Sequence, residues 1–80
     1  MGSFEKVIHY LEVYLEMHPA DTSVMFSLAA LYVRDGRFKK ARQVLLNMLA
    51  LDPSNKDAAN LLEEVEHSLA GEIAGGVTVV

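Results

Sequence analysis

The amino-acid sequence predicts an all-α fold of about four antiparallel helices, paired as helix-turn-helix repeats and followed by an irregular C-terminal tail. Three observations predict it. Apolar residues recur at three- and four-residue spacing through most of the chain. Turn-forming pairs interrupt that pattern at short intervals: His18-Pro19, Asp35-Gly36 and Asp52-Pro53. Pro19 and Pro53 stand 34 residues apart, which makes the interruptions periodic.

The first helix is expected from about Phe4 to Met17. Val7, Leu11, Tyr14 and Leu15 recur on one side of it, and Glu5, Glu12 and Glu16 fall mostly elsewhere. His18-Pro19 ends it, because a residue before proline avoids the helical region. The second helix is expected from Thr22 to Arg34, with Asp21 or Thr22 as N-cap and Gly36 as the left-handed residue that stops it. The third runs from Phe38 to Leu51. Ala41, Val44, Leu45, Met48 and Leu49 lie on its apolar side, and Lys39, Lys40, Arg42 and Gln43 lie around the other. The fourth is expected from Asn55 to Leu69, opened by a capping box of Ser54 and Asp57. Its apolar stripe is Ala58, Leu61, Leu62, Val65 and Leu69. Beyond it, Gly71, Gly75 and Gly76 argue against helix, and Val77-Thr78-Val79-Val80 has strand propensity. The division is therefore a helical domain over 1–70 and a Gly/Val-rich tail over 71–80.

Composition narrows the function classes. Of 80 residues, 51% are hydrophobic, enough for a packed core, and the net charge is −4. That charge weighs against nucleic-acid binding, which needs a basic face to neutralise phosphates. It also weighs against a polybasic membrane-surface helix. No apolar run approaches the roughly 20 residues of a membrane span, and no leader pattern is expected at the N-terminus. Lys6 occupies the position where a myristoylation signal needs Ser or Thr. With no cysteine, disulfides and thiolate metal sites are ruled out, and a cytoplasmic, reducing setting is favoured.

Shifting the chain by 34 residues pairs Gly2 with Gly36, Phe4 with Phe38, Lys6 with Lys40, Leu11 with Leu45, Leu15 with Leu49, Pro19 with Pro53 and Leu28 with Leu62. The matches fall on turns, helix stops and core positions. Within the central unit the chain reads Met25-x2-Leu28-Ala29-x2-Tyr32, then Ala41-x3-Leu45, then Pro53. This resembles the tetratricopeptide repeat, whose pattern is Trp-x2-Leu-Gly-x2-Tyr, Ala-x3-Phe, Pro. Leu28, Tyr32, Ala41 and Pro53 match outright, and Met25, Ala29 and Leu45 are substitutes of the same kind. The resemblance covers roughly residues 4–69, as a half repeat over 4–21, a full repeat over 22–55 and a terminal capping helix over 56–70. In the last helix Glu63 and Glu66 replace the small and aromatic residues of the pattern, as the polar end of a solenoid requires.

The resemblance implies a protein-protein interaction module with a concave groove that receives a peptide or an amphipathic helix. Carried over by position, the groove residues are Ser23, Phe26, Ala30, Val33 and Arg34, joined by Asn60, Glu64 and His67. Family members that grip chaperone carboxyl termini place Lys, Asn and Arg along this surface. Phe26, Ala30 and Glu64 here disfavour that ligand, and a helix with a basic edge fits better. The second helix is apolar almost all round, so the stripe Phe26-Ala30-Val33 is either well-buried core or a surface left for a partner. A second surface is expected on the first helix, where Ile8, Tyr10 and Val13 would lack a neighbour and drive homo-oligomerisation. A structural self-assembly module is thus the alternative reading.

Catalysis is not expected. His67 lies with Glu63 and Glu64, and His9 with Glu5 and Glu12, but such spacing more often marks solvated pairs than a metal site, so no metal or cofactor is expected. No nucleophile-base order, phosphate loop or HExxH motif is present.

Overall fold

Four helices in chain order make up the computed structural model, which describes residues 3–77, with side chains over residues 4–71. They are α1 (Ser3–Met17), α2 (Thr22–Arg34), α3 (Phe38–Leu51) and α4 (Lys56–Val77). The described residues are helical apart from the short turns. α2 packs on α1 and α3, and α3 packs on α2 and α4. Each helix therefore lies beside its chain neighbours, as turns this short demand.

The chain specifies its helix ends locally. His18 closes α1 by donating its amide to the Tyr14 carbonyl at 3.0 Å. Asp21, in extended conformation, caps α2 by accepting the Val24 amide at 3.2 Å, so Asp21 rather than Thr22 holds that position. At the other end of α2 the Arg37 amide reaches back to the Tyr32 carbonyl at 2.8 Å and the Gly36 amide to Val33 at 3.0 Å. This paired closure needs a left-handed residue, and Gly36 supplies it at φ 76°. The start of α4 corrects the expected capping box. Asn55 Oδ1, not Ser54, accepts the Ala58 amide, at 3.0 Å. The Ser54 hydroxyl donates to Asp52 at 2.9 Å in the preceding turn.

A second correction concerns the tail. α4 continues to Val77, so residues 71–77, expected to be irregular, are helical, and the strand propensity at Val77 is overridden. A glycine costs a helix only about 1 kcal/mol, which the propagation of a helix already nucleated and packed can offset. Residues 78–80 lie outside the described residues.

The core is built from Ile8 of α1, Met25, Leu28, Ala29 and Tyr32 of α2, Ala41, Leu45 and Met48 of α3, and Ala58 and Val65 of α4. Ala29, Ala41 and Ala58 are fully buried. Their small side chains let the helix axes approach, and Met25, Tyr32, Leu45 and Met48 fill the space beside them. Among the described residues no charged side chain is buried. The one buried phenol, Tyr32, donates its hydroxyl to the Glu12 carboxylate of α1. Burial first, and that hydrogen bond second, hold the Tyr32 phenol well above the ordinary tyrosine range.

Candidate functional site

α2 is the element on which the site depends. Its buried face carries Met25, Leu28, Ala29 and Tyr32. The opposite edge is a narrow polar strip of exposed Ser23, Ser27 and Arg34. Between the two lie Phe26, Ala30 and Val33, all half-buried. Phe26 and Val33 pack against the core cluster yet keep part of their surface in solvent. The stripe is therefore neither sealed core nor a bare patch.

Phe26 opens onto a hollow of about 270 Å³, lined also by Thr22 and Ser23 of α2, Met48 of α3, and Asn55 and Asp57 at the start of α4. The floor is apolar and the rim polar, with a carboxylate on the α4 side. Glu64 and His67 line a second, shallower concavity of about 470 Å³ on α4 with Glu63 and Ser68. The structure thus brings Ser23 together with Phe26, and Glu64 with His67, in two separate hollows. Ala30, Val33, Arg34 and Asn60 border neither. Thr22, Met48, Asn55 and Asp57 are lining residues that the sequence reading missed. The sequence places Asn55 only as the start of the fourth helix, and its position beside Phe26 follows from the packing of α4 on α3.

The α1 surface requires a correction. Ile8 is 2% exposed and belongs to the core, so it offers nothing for self-association. Tyr10 at 68% and Val13 at 43% are exposed, as expected, and are joined by Val7 at 46% and Met17 at 77%. Val7, Tyr10, Tyr14 and Met17 follow the i, i+3, i+7, i+10 spacing of a helix-packing seam. Phe4, Ile8, Leu11 and Leu15 form the neighbouring seam, which packs into the core on α2.

Polar contacts hold α1 in place. Besides the Tyr32-Glu12 bond, the Tyr14 hydroxyl donates to Asp21 at 3.0 Å, which raises the Tyr14 pKa. The Tyr14 ring lies 4.4 Å from that of His18. Arg37, at the α2-α3 turn, reaches Glu5 of α1 at 2.6 Å and Asp35 at 2.7 Å.

The geometry is that of a helix hairpin flanked by single helices, with small residues at the crossings and a glycine at the turn, and a sequence profile described as tetratricopeptide repeat matches residues 1–65. The chain belongs to the tetratricopeptide-repeat family. No curated protein and no solved structure matched the chain. Tetratricopeptide repeats generally mediate protein-protein interaction and are not catalytic modules. Among the described residues, no helix is long and apolar enough to cross a membrane.

Proposed function

We propose that this tetratricopeptide-repeat chain is an adaptor that receives an amphipathic helix or extended peptide of a partner protein across α2 and the facing side of α4. The observation that carries the reading is the half-buried stripe Phe26-Ala30-Val33. An apolar stripe flanked by Arg34 and ending at the hollow that Ser23, Asn55 and Asp57 help to line suits a ligand with one dry face. Asn60, Glu64 and His67 extend the surface along α4, and their charge favours a ligand with a basic edge. The absence of cysteine supports a cytoplasmic setting for such a partner.

The test is to pan a display library of helical peptides against the chain and measure the recovered binders by titration calorimetry. Phe26→Asp/Val33→Asp should weaken them at least tenfold with the helical circular-dichroism spectrum unchanged. Binders that ignore this substitution would place the ligand elsewhere.

A second reading, self-assembly, is favoured by the exposed α1 seam. Val7, Tyr10, Val13 and Met17 together expose apolar surface of a few hundred Å², the order of the largest functional patches on monomers. Sedimentation equilibrium should then report a mass above the monomer's 8.8 kDa, lowered to it by Tyr10→Asp. A monomer at high concentration would eliminate this reading.

A further inference from the structure

The charge of this chain is unevenly placed. Of its seven Lys and Arg residues, five fall in one nine-residue window: Arg34, Arg37, Lys39, Lys40 and Arg42. The window is the α2-α3 turn and the first turns of α3. Arg37, Lys39 and Lys40 rim a hollow of about 250 Å³ whose other walls are Gly36, Phe38 and, from α4, Leu69. Phe38 and Leu69 are half-buried and pack on the core, so the floor of this hollow is apolar and fixed. Lys39, Lys40, Arg34 and Arg42 are exposed. Arg37 alone of the five is ion-paired among the described residues, to Glu5 and Asp35. α3 also begins without a side-chain cap, which leaves its first-turn amides open to an outside acceptor.

We propose that this turn is a second docking surface, for an acidic segment of a partner protein that carries one apolar anchor residue. The anchor enters between Phe38 and Leu69. Flanking Asp or Glu side chains meet Lys39 and Lys40, and Arg34 and Arg42 add a salt-screened longer-range attraction. A nucleic acid fits less well. Its evenly spaced phosphates need a basic stripe along the whole footprint, whereas this patch is confined to one end of one hairpin. The carboxylates Glu63, Glu64 and Glu66 are exposed on the next helix. The apolar floor also has no counterpart in a phosphate backbone. The hollow between Phe38 and Leu69 shares no lining residue with the hollow beside Phe26, Arg34 alone bordering both surfaces, and the inference does not rest on the adaptor reading. The two surfaces have opposite charge preferences, so one chain can engage two different segments.

Fluorescence anisotropy with a labelled twelve-residue Asp/Glu peptide carrying a central Leu tests the proposal on the full chain. Micromolar binding at low salt is expected, weakened about tenfold by replacing the Leu with Ser and several-fold by raising salt from about 50 to 500 mM. Lys39→Glu/Arg42→Glu should abolish it. This pair is chosen because Lys40 Nζ sits 5.9 Å above the Tyr32 ring and so also contributes to packing. Phe26→Asp/Val33→Asp should leave the binding unchanged, which separates failure here from failure of the adaptor reading. Three outcomes overturn the proposal: no binding of the acidic peptide, equal binding of the Leu and Ser peptides, or tighter binding of a single-stranded oligonucleotide or an anionic phosphatidylserine vesicle.

Discussion

α1 and α3 occupy the same phase of the 34-residue repeat, and although Phe4 and Phe38, or Leu15 and Leu49, are alike half-buried, the two helices differ in burial at the centre of their apolar faces. Val7, Leu11 and Tyr14 of α1 correspond by that shift to Ala41, Leu45 and Met48 of α3. The α3 residues are 0%, 0% and 1% exposed, whereas Val7 is 46% exposed and Leu11 and Tyr14 are only half-buried. The reverse also occurs: Ile8 of α1 is core, and its counterpart Arg42 is exposed. α3 lies between two helices and α1 packs on one. The comparison shows that in a stacked array the burial of a side chain depends on how many neighbours its helix has, and similar sequence does not secure similar burial. It also shows two ways of holding a helix. α3 is held by apolar packing on both sides. α1 is held by one apolar seam and three polar contacts, Tyr32-Glu12, Tyr14-Asp21 and Arg37-Glu5.

The largest expected effect sharpens that contrast. Leu45→Ala should cost about 3 kcal/mol or more, since it empties a fully packed site, whereas the half-buried Leu11→Ala should cost about half as much. Urea denaturation of both variants decides the matter, and equal losses would break the comparison. Next comes Asp21→Ala, which removes the N-cap of α2 and the partner of Tyr14 together, for about 1–2 kcal/mol. Hydrogen exchange should show α1 and the first turn of α2 loosened ahead of α3. Gly36→Ala should cost about 1 kcal/mol by thermal melting. The space around Gly36 is open, so that loss is purely conformational and Gly36→Asn should recover part of it.

The smallest expected effect is one of pH. The folded-state pKa of Tyr32 is raised by burial and by Glu12, so the folded chain retains a proton that the unfolded chain releases near pH 10. Its contribution is complete below that value and is lost progressively as pH rises above it. Melting temperatures between pH 8 and 11 should fall less steeply for Tyr32→Phe than for the parent chain. Tyr14 shifts in the same direction, chiefly through its hydrogen bond to Asp21, whereas burial leads at Tyr32, so Tyr14→Phe shows what a hydrogen-bonded phenol contributes without deep burial.

Much of the fold was legible because its signals are local. Asp21, Gly36 and the prolines mark helix ends through hydrogen bonds and dihedral preferences spanning only a few residues. The central unit could be placed because Ala29 and Ala41 are small where Tyr32 and Leu45 are large, a complementarity written within about 20 residues. The extension of α4 past Leu69 was not legible, since three glycines outweigh helical periodicity in any local reading. Nor was the core position of Ile8. Its helix carries two apolar seams, and periodicity cannot say which of two seams turns inward. The polar contacts of α1 were missed because Glu12 and Tyr32 are 20 residues apart, and Glu5 and Arg37 are 32 apart. No short-range pattern links them.

The amino-acid sequence by itself determined the helices, where most of them start and stop, the repeat length, and the pairing of α2 with α3, because capping, turn geometry and hydrophobic period act over one or two helical turns. Only the tertiary structure decided which seam of α1 is covered, how far Phe26 and Val33 remain open, and that Arg37, Lys39 and Lys40 meet Leu69 around a single hollow. Those outcomes depend on which helices lie side by side, and residues far apart in the chain set that arrangement jointly.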